Sequence, residues 1–363
     1  MATLTRTSTQ STSVNTAPAY SHQLRRFGVG ALVTLFTCML LFVYLLPLGN
    51  MVMVALSSQE QLSQAASESV IPTAPITYTY EGQSYDVYEV PTDNGIQRYA
   101  LIDPGRRSSD MLDINNPEAG VFEWEGNWRQ LNPVRETSFA WGNFATAWES
   151  IEFPRLFMNT LIIAVAGMIG TLLSCIAVAY AFARFPIPGK NILFVILIGT
   201  IILPSQVTLI PTYAFFASIG WTNTWLPLIV PHFFANAYNV FLLRQYFLTL
   251  PRELDEAAMI DGAGPFKILI SVIIPQSWAA IIAVGVFHFV WAWNDYFGPL
   301  IYLIGRPELQ PVSVGVQVFN FQYGPRPELV QATSMMALVL PVIIFFLAQR
   351  VFMRGVVITG VEK

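Results

Sequence analysis

The sequence predicts an all-α polytopic membrane protein of about six transmembrane helices, with a small β-rich insertion outside the membrane. Three observations predict it. Hydrophobic residues make up 54% of the 363 residues and charged residues only 12%, about half the charged share of an ordinary soluble domain. Charge-free stretches run Phe27–Gln59, Leu156–Ala183, Asn191–Leu243, Ile268–Asn294 and Val330–Gln349. Each reaches or exceeds the roughly 20 residues that cross a hydrocarbon core, and the third is long enough to cross twice. Between the first two lies a segment of different character, acidic and alternating in polarity.

Taken in order, residues 1–26 form a tail whose Ser- and Thr-rich composition is that of a disordered segment. Residues 27–56 carry the first apolar run. It is far longer than the roughly 7 to 15 residues of a signal-peptide core, so it reads as an uncleaved first span. Residues 57–150 form the insertion and residues 151–363 a five-helix core. Spans are expected near 28–50, 157–182, 192–214, 222–246, 274–302 and 333–353.

Orientation follows from charge. Arg25 and Arg26, Arg184 and Lys190, Arg252 and Lys267, and Arg350 and Arg354 flank one alternate set of connections, whereas 217–224 carries no charge. Residues 57–150 hold 14 acidic and 5 basic residues, so the chain's net charge of −4 divides into −9 there and +5 elsewhere. The positive-inside rule places both termini in the cytoplasm and the insertion outside.

Within the insertion, Ile76, Tyr78 and Tyr80 alternate with polar residues before Glu81-Gly82, and Tyr85 and Val87 resume the alternation, which predicts a hairpin. Phe122, Trp124, Glu125-Gly126-Asn127 and Trp128 suggest a second, in a module of three to five strands. Two readings stand side by side, a docking contact for an external protein and a cap over the outer face.

A short helix is expected within 251–264, between two spanning segments. Pro251 suits its first turn, and Glu253, Asp255 and Glu256 sit where the helix dipole favours carboxylates. Gly262 suits the C-terminal cap, and Gly264-Pro265 stops the helix. Ala257 and Ala258 give it a shallow face that another protein can approach closely.

The order Glu256-Ala257-Ala258, then Gly262, then Val272, Ile274 and Pro275 resembles the EAA loop of the permease subunits of binding-protein-dependent ABC importers. The likeness runs from Pro154 to near the C-terminus and is strongest to the carbohydrate, maltose-type branch. Residues 154–160 (PRLFMNT), 293–297 (WNDYF) and 309–312 (LQPV) carry it. The resemblance implies a type I importer permease fold in a bacterial or archaeal inner membrane. It also implies a second, non-identical permease subunit, a dimer of ATPase subunits, an extracytoplasmic solute-binding protein and a sugar substrate. Glu256, Ala257, Ala258, Asp261, Gly262 and Pro275 would form the ATPase-docking element, with Glu256 paired to a basic residue of the ATPase. Residues 359–363 are a weaker candidate for the same contact. A permease for another solute, such as a polyamine or glycerol phosphate, is the alternative, and a stand-alone carrier ranks below it.

Polar residues inside spans are costly unless paired or lining a cavity. Asp295 and Asn294, with Gln206, Asn236 and Asn239, are therefore candidates for the translocation path, each with helix–helix hydrogen bonding as the plainer reading. Trp221 and Trp225 read as an aromatic belt, and Trp291 and Trp293 lie deeper. No phosphate-binding Gly-x-x-x-x-Gly-Lys-Ser/Thr occurs, so ATP hydrolysis is assigned to a partner and no catalytic residue or cofactor is expected. Cys38 and Cys175 fall in apolar runs. His22, His232 and His288 are scattered in the sequence, which argues against a metal site. Nothing in the composition points to nucleic acid.

Overall fold

The computed structural model describes residues 19–63, 70–92, 95–321 and 324–358, without the side chains of 19–25, 205, 206 and 351–358. Most of the expected tail, the side chain of Gln206, and residues 359–363 lie outside the described residues. The chain divides into two compact units, one up to Met51 and one from Val52 onward.

The first unit is the body of helix α1 (Ala19–Ala55). From Phe27 to Asn50 every residue is exposed. The hydroxyls of Thr34 and Thr37 donate to the carbonyls of Gly30 and Val33, four residues back, at 2.9 and 2.8 Å. These bonds hide two polar groups on an otherwise apolar helix.

The second unit opens with α2 (Gln59–Ser63) and the insertion. Its strands are β1 (Thr73–Pro75), β2 (Thr77–Tyr80), β3 (Gln83–Thr92), β4 (Gly95–Asp103), β5 (Ser108–Asp113), β6 (Val121–Glu125), β7 (Asn132–Pro133) and β8 (Arg135–Thr137). β2 to β6 form an antiparallel meander with β7 on β3, and β1 pairs with β8. The predicted hairpin is β2–β3, turned by Glu81 (φ +50°) and Gly82 (φ +83°). Left-handed angles at both turn residues match the right-handed twist of the strands. The second expected hairpin does not form: β6 pairs back onto β5, and residues 128–130 make a 3₁₀ turn. The sheet also has six strands where fewer were expected, because apolar residues line both its faces. Val87, Ala100, Leu112 and Val134 fill one side, and Val90, Leu101 and Met111 the other. The insertion's ends are tied together: the Asn143 amide donates to the carbonyls of Ala55 and Ser57 at 2.8 and 2.9 Å, and Ala140 N–H to Leu56 at 2.8 Å.

After α3 (Gly142–Ser150) comes α4 (Phe153–Arg184), the long central span. The third span is not continuous. It runs as α5 (Lys190–Gly199) with a 3₁₀ turn to Ile202, then α6 (Ser205–Ser218), bent by 98°. Pro204 is the cause: the residue before a proline is driven from helical angles, and Leu203 is extended at ψ 117°. The fourth span is also interrupted, as α7 (Leu226–Ile229), a 3₁₀ turn over Val230–Phe233, and α8 (Ala237–Thr249). The short α9 (Glu253–Ile260) follows.

The fifth span corrects the expectation most. Helix α10 (Pro265–Ile268), a π-helical turn over Leu269–Ile273 and α11 (Ile274–Gln276) meet α12 (Trp278–Trp293) at 82°. Pro275 has no N–H to give the preceding turn, and a widened turn stands just before it. The predicted 274–302 span is therefore divided: α11 lies before the bend, α12 is its one long helix, and α13 (Phe297–Tyr302) is a separate element. Two short helices, α14 (Val312–Gly315) and α15 (Val318–Phe321), lead to the last span, α16 (Pro327–Ile358). Among the described residues, four stretches are long and apolar enough to cross a membrane, Arg26–Ala55, Phe153–Arg184, Leu226–Thr249 taken through its interruption, and Pro327–Arg350, or six if each of the two bent pairs is one span.

Helix α4 is the axis of the core. One end packs Cys175, Ala179, Tyr180 and Ala183 against Val240, Leu243 and Phe247 of α8 and against Ile273, Ile281 and Val284. Nearer its other end, Asn159 donates to the carbonyls of Glu308 and Gln310 at 2.8 and 2.9 Å, and Thr160 accepts from Val312 N–H at 2.9 Å. Two distant sequence motifs thus meet as bonded partners.

Candidate functional site

Two sites emerge, one on α9 and one at the break in the fourth span. On α9 the N-cap is Arg252, so Pro251 precedes the helix instead of occupying its first turn as the sequence suggested. The C-terminal end is as expected. Gly262 adopts φ +78°, its N–H bonds to Met259 at 3.0 Å, and Ala263 N–H reaches back to Ala258 at 2.9 Å. This pair of bonds is the Schellman arrangement that a left-handed residue permits.

The two faces of α9 differ in chemistry. Glu256, Ala257 and Asp261 point to solvent, together with Met259 (55% exposed) and Ile260 (87%), and Phe266 beyond the turn is 74% exposed. Ala258 does not belong to that face. It packs against the cluster of Ala179, Leu243 and Phe247, because the helical turn that exposes Ala257 rotates Ala258 inward. Pro275 is exposed at the corner that ends α11 and lies outside the helix.

A residue that the sequence offered only as a helix-dipole carboxylate holds α9 in place. Asp255 Oδ2 lies 2.7 Å from Arg184 Nε at the end of α4, with the two side chains 10% and 6% exposed. The Arg184 guanidinium also donates to the Leu250 carbonyl at 3.1 Å. Of the three acids in the first turn, only Asp255 is turned into the protein. The signal available in the sequence was its spacing: Asp255 stands three residues before Ala258, on the same side of the helix.

The second site lies beside α4. Asn236 caps α8, its side chain accepting from Asn239 N–H at 3.0 Å. Ser174 donates to the His232 carbonyl at 3.0 Å, which satisfies a backbone group that the break leaves without a helical partner. Gly170 lets the broken segment approach: a Cβ there would stand 2.6 Å from the Phe233 ring. Gly167 does the same for His232 and His288, each 3.1 Å from the position its Cβ would take.

The two histidines, scattered in sequence, are brought together with ring centroids 4.6 Å apart. Trp291 lies 5.6 and 5.7 Å from them. His288 Nδ1 is 3.2 Å from the Thr171 hydroxyl, while its Nε2 is buried against Gly167 and has no hydrogen-bond partner among the described residues. His232, His288, Trp291, Asn236, Asn239 and Tyr238 line a cavity of about 600 Å³. No group of three or more metal-ligating side chains occurs among the described residues.

Of the other path candidates, Asp295 does not lie within a helix. It sits past the end of α12 and is half-buried, its carboxylate accepting from Gly298 N–H at 3.2 Å, and no ion pair forms to it among the described residues. Asn294, the C-cap of α12, is exposed and its amide donates to the Val290 carbonyl at 2.8 Å. Neither joins the cavity at the fourth-span break. Another charge that the sequence reading left aside is Arg244 on α8, stacked 4.1 Å over the Phe194 ring.

Comparison with known proteins gives a consistent picture. Residues 170–357 match the family model for the binding-protein-dependent transport system inner membrane component. The osmoprotective compounds uptake permease protein GgtD of Synechocystis sp. is 34% identical over 236 residues, covering 64% of this chain and 78% of its own. The sn-glycerol-3-phosphate transport system permease protein UgpE of Rhizobium meliloti is 33% identical over 211 residues, 58% and 74% of the two chains. The crystal structure of a bacterial ABC transporter involved in the import of the acidic polysaccharide alginate superposes with TM-score 0.62 at 19% identity. It covers 92% of this chain and 99% of that one, a likeness of fold. With an exposed, capped helix between bent spans and a family match across more than half its length, the chain belongs to the binding-protein-dependent transport system inner membrane components, the permease subunits of ABC importers.

Proposed function

We propose that this permease carries a sugar or oligosaccharide, and that α9 couples it to a separate ATPase. The observation that carries the coupling is the two-sided construction of α9. Its outer side presents Glu256, Ala257, Met259 and Ile260, and its inner side is fixed to α4 by the Asp255–Arg184 pair. An ATPase that grips the outer side would move α4, and with it the helices packed on α4. Gly262 sets the tight end that lets the helix seat, and Pro275 sets the corner behind it.

The sugar assignment draws on the relatives, among them the alpha-glucoside transport system permease protein AglG of Rhizobium meliloti, 30% identical over 62% of this chain and 60% of its own. Glycerol phosphate is the second reading, favoured by UgpE. The charge split supports an outward insertion and cytoplasmic termini. In that orientation the insertion faces a solute-binding protein, and a second, non-identical permease subunit completes the pathway.

The test is purification of the assembled complex. Glu256→Lys reverses an exposed charge without touching the core. It is expected to lower both the ATPase recovered with the permease and ATP-driven uptake by about tenfold, the effect of roughly 1.4 kcal/mol at an interface. Full uptake with unchanged ATPase recovery would remove α9 from this role.

A further inference from the structure

We propose that Arg244 and Lys190 form a binding site for the headgroup of an anionic phospholipid, where the start of α5 meets the last turns of α8. The leaflet follows from the sidedness proposed above, whereas the site requires only that α5 and α8 lie in the membrane.

Depth supplies the first argument. Arg244 stands five residues before the end of α8, about 7.5 Å along the helix axis, and Phe194 four residues into α5, about 6 Å. The Phe194 ring meets α8 twice, stacked on Phe241 at 6.4 Å and lying 4.1 Å beneath the Arg244 guanidinium. Lys190, the first residue of α5, is one turn nearer the helix end. Both cationic heads are therefore within snorkelling reach of the interface where lipid phosphates lie.

The missing counter-ion supplies the second. A charged side chain at the centre of a span costs about 2.5 to 3.5 kcal/mol, so one placed among apolar helices calls for a partner. Arg184 has Asp255. Arg244 has none: neither an ion pair nor a hydrogen bond reaches its guanidinium among the described residues, and its Nε is buried unpaired. Phe194 covers one face of the guanidinium plane, which leaves the N–H groups of its edge unused. Lys190 gives one of its three donors to the Phe185 carbonyl at 3.2 Å, and no carboxylate pairs with it among the described residues. Neither α5 nor α8 contains an Asp or Glu.

The surroundings supply the third. No residue of α5 is buried, and Ile192, Leu193, Val195 and Ile196 are all exposed. An aliphatic face running on from two cations matches a phospholipid, with its phosphate at Lys190 and Arg244 and its acyl chains along α5. The arginine fork can hold phosphate oxygens through two parallel charge-assisted hydrogen bonds, and the lysine adds a point charge. A zwitterionic lipid brings its own ammonium group to the phosphate. Two protein cations without an acid therefore favour a headgroup of net negative charge.

The experiment uses the assembled importer, this chain with its partner permease and ATPase pair, in phosphatidylcholine nanodiscs. Each disc carries a minor share of a photoreactive lipid, either phosphatidylglycerol or phosphatidylcholine with the same diazirine-bearing acyl chain, and adducts are mapped by mass spectrometry. Phosphatidylglycerol is expected to label peptides from 190–202 and 237–249 at least about fivefold more than phosphatidylcholine, the worth of one basic residue at an anionic surface. Arg244→Gln should abolish that preference, with basal ATP hydrolysis within twofold of the unaltered complex. Arg244→Lys, which keeps the charge and loses the fork, should retain part of it, and Lys190→Gln should lower it. If Arg244→Gln does not assemble, these two variants carry the test. Equal labelling by the two lipids, or a preference unchanged in every variant that assembles, overturns the site. Loss of the partner permease or the ATPase from the Arg244→Gln complex with the lipid preference intact would pair the arginine with a protein carboxylate, and overturns it too. Abolition of the preference by millimolar inorganic phosphate would assign the cations to a free anion and overturns the lipid. None of these outcomes bears on the coupling role of α9, which the Glu256→Lys complex tests separately.

Discussion

At the scale of single residues, the Arg184–Asp255 pair decides how α9 can act. Two charges are taken out of water at the junction of two helices, so their mutual attraction must offset a desolvation cost of several kcal/mol. Removing one partner is far more damaging than removing both, because it leaves the other charge buried alone. Asp255→Ala is expected to destabilise the purified protein by about 3 to 5 kcal/mol, and Arg184→Met with Asp255→Leu to recover most of that loss. Thermal unfolding in detergent measures both. The paired variant should still lose solute moved per ATP if the pair also transmits movement. Recovery of stability and coupling together would confine the pair to packing. Exposed Glu256, one residue along, is expected to have little effect on stability, since its contacts are with solvent.

At the scale of elements, three spans are broken and each break has a local cause. Pro204 bends the third, and the corner at Pro275 turns the chain into α12. In the fourth, the interruption is seated against α4 by Gly167, Gly170 and Ser174, small residues that let backbones approach. Gly170→Ala places a methyl group 2.6 Å from the Phe233 ring. Overpacking of this kind costs about 1 to 3 kcal/mol, so the variant is expected to unfold at lower temperature and to transport less solute per ATP. A variant indistinguishable in both would mean that the break moves freely against α4. The insertion behaves as a closed element, since its sheet is built from consecutive antiparallel strands and its ends are bonded at Leu56 and Ala140.

At the scale of the whole molecule, the charge split makes a prediction about sidedness. With Cys38 and Cys175 replaced by Ser and Ala, a membrane-impermeant thiol reagent applied to intact cells is expected to label a cysteine placed at Ser84. It should not label one at Gly189 until the cells are opened. Both positions are exposed, so access is set by the membrane and not by packing. The reverse pattern would invert the orientation and place α9 on the wrong side for an ATPase.

The sequence by itself determined the membrane class, the approximate spans, the β2–β3 hairpin and the capped helix ending at Gly262. These depend on composition, alternation and one residue's backbone freedom, all local properties. It also carried the family, because Glu256-Ala257-Ala258 and Gly262 lie close together in the chain. Only the tertiary structure decided that Asp255 faces inward while Glu256 faces out, since that depends on Arg184 arriving from another helix. The same holds for the cavity: His232 and Asn236 flank the break in the fourth span while His288 comes from α12, and their meeting depends on glycines in α4. Pairing across helices leaves no periodicity in a single sequence, so the histidines read as scattered. The length of the fifth span was misread for a related reason, because apolar composition continues through a bend that Pro275 and the packing of α12 impose.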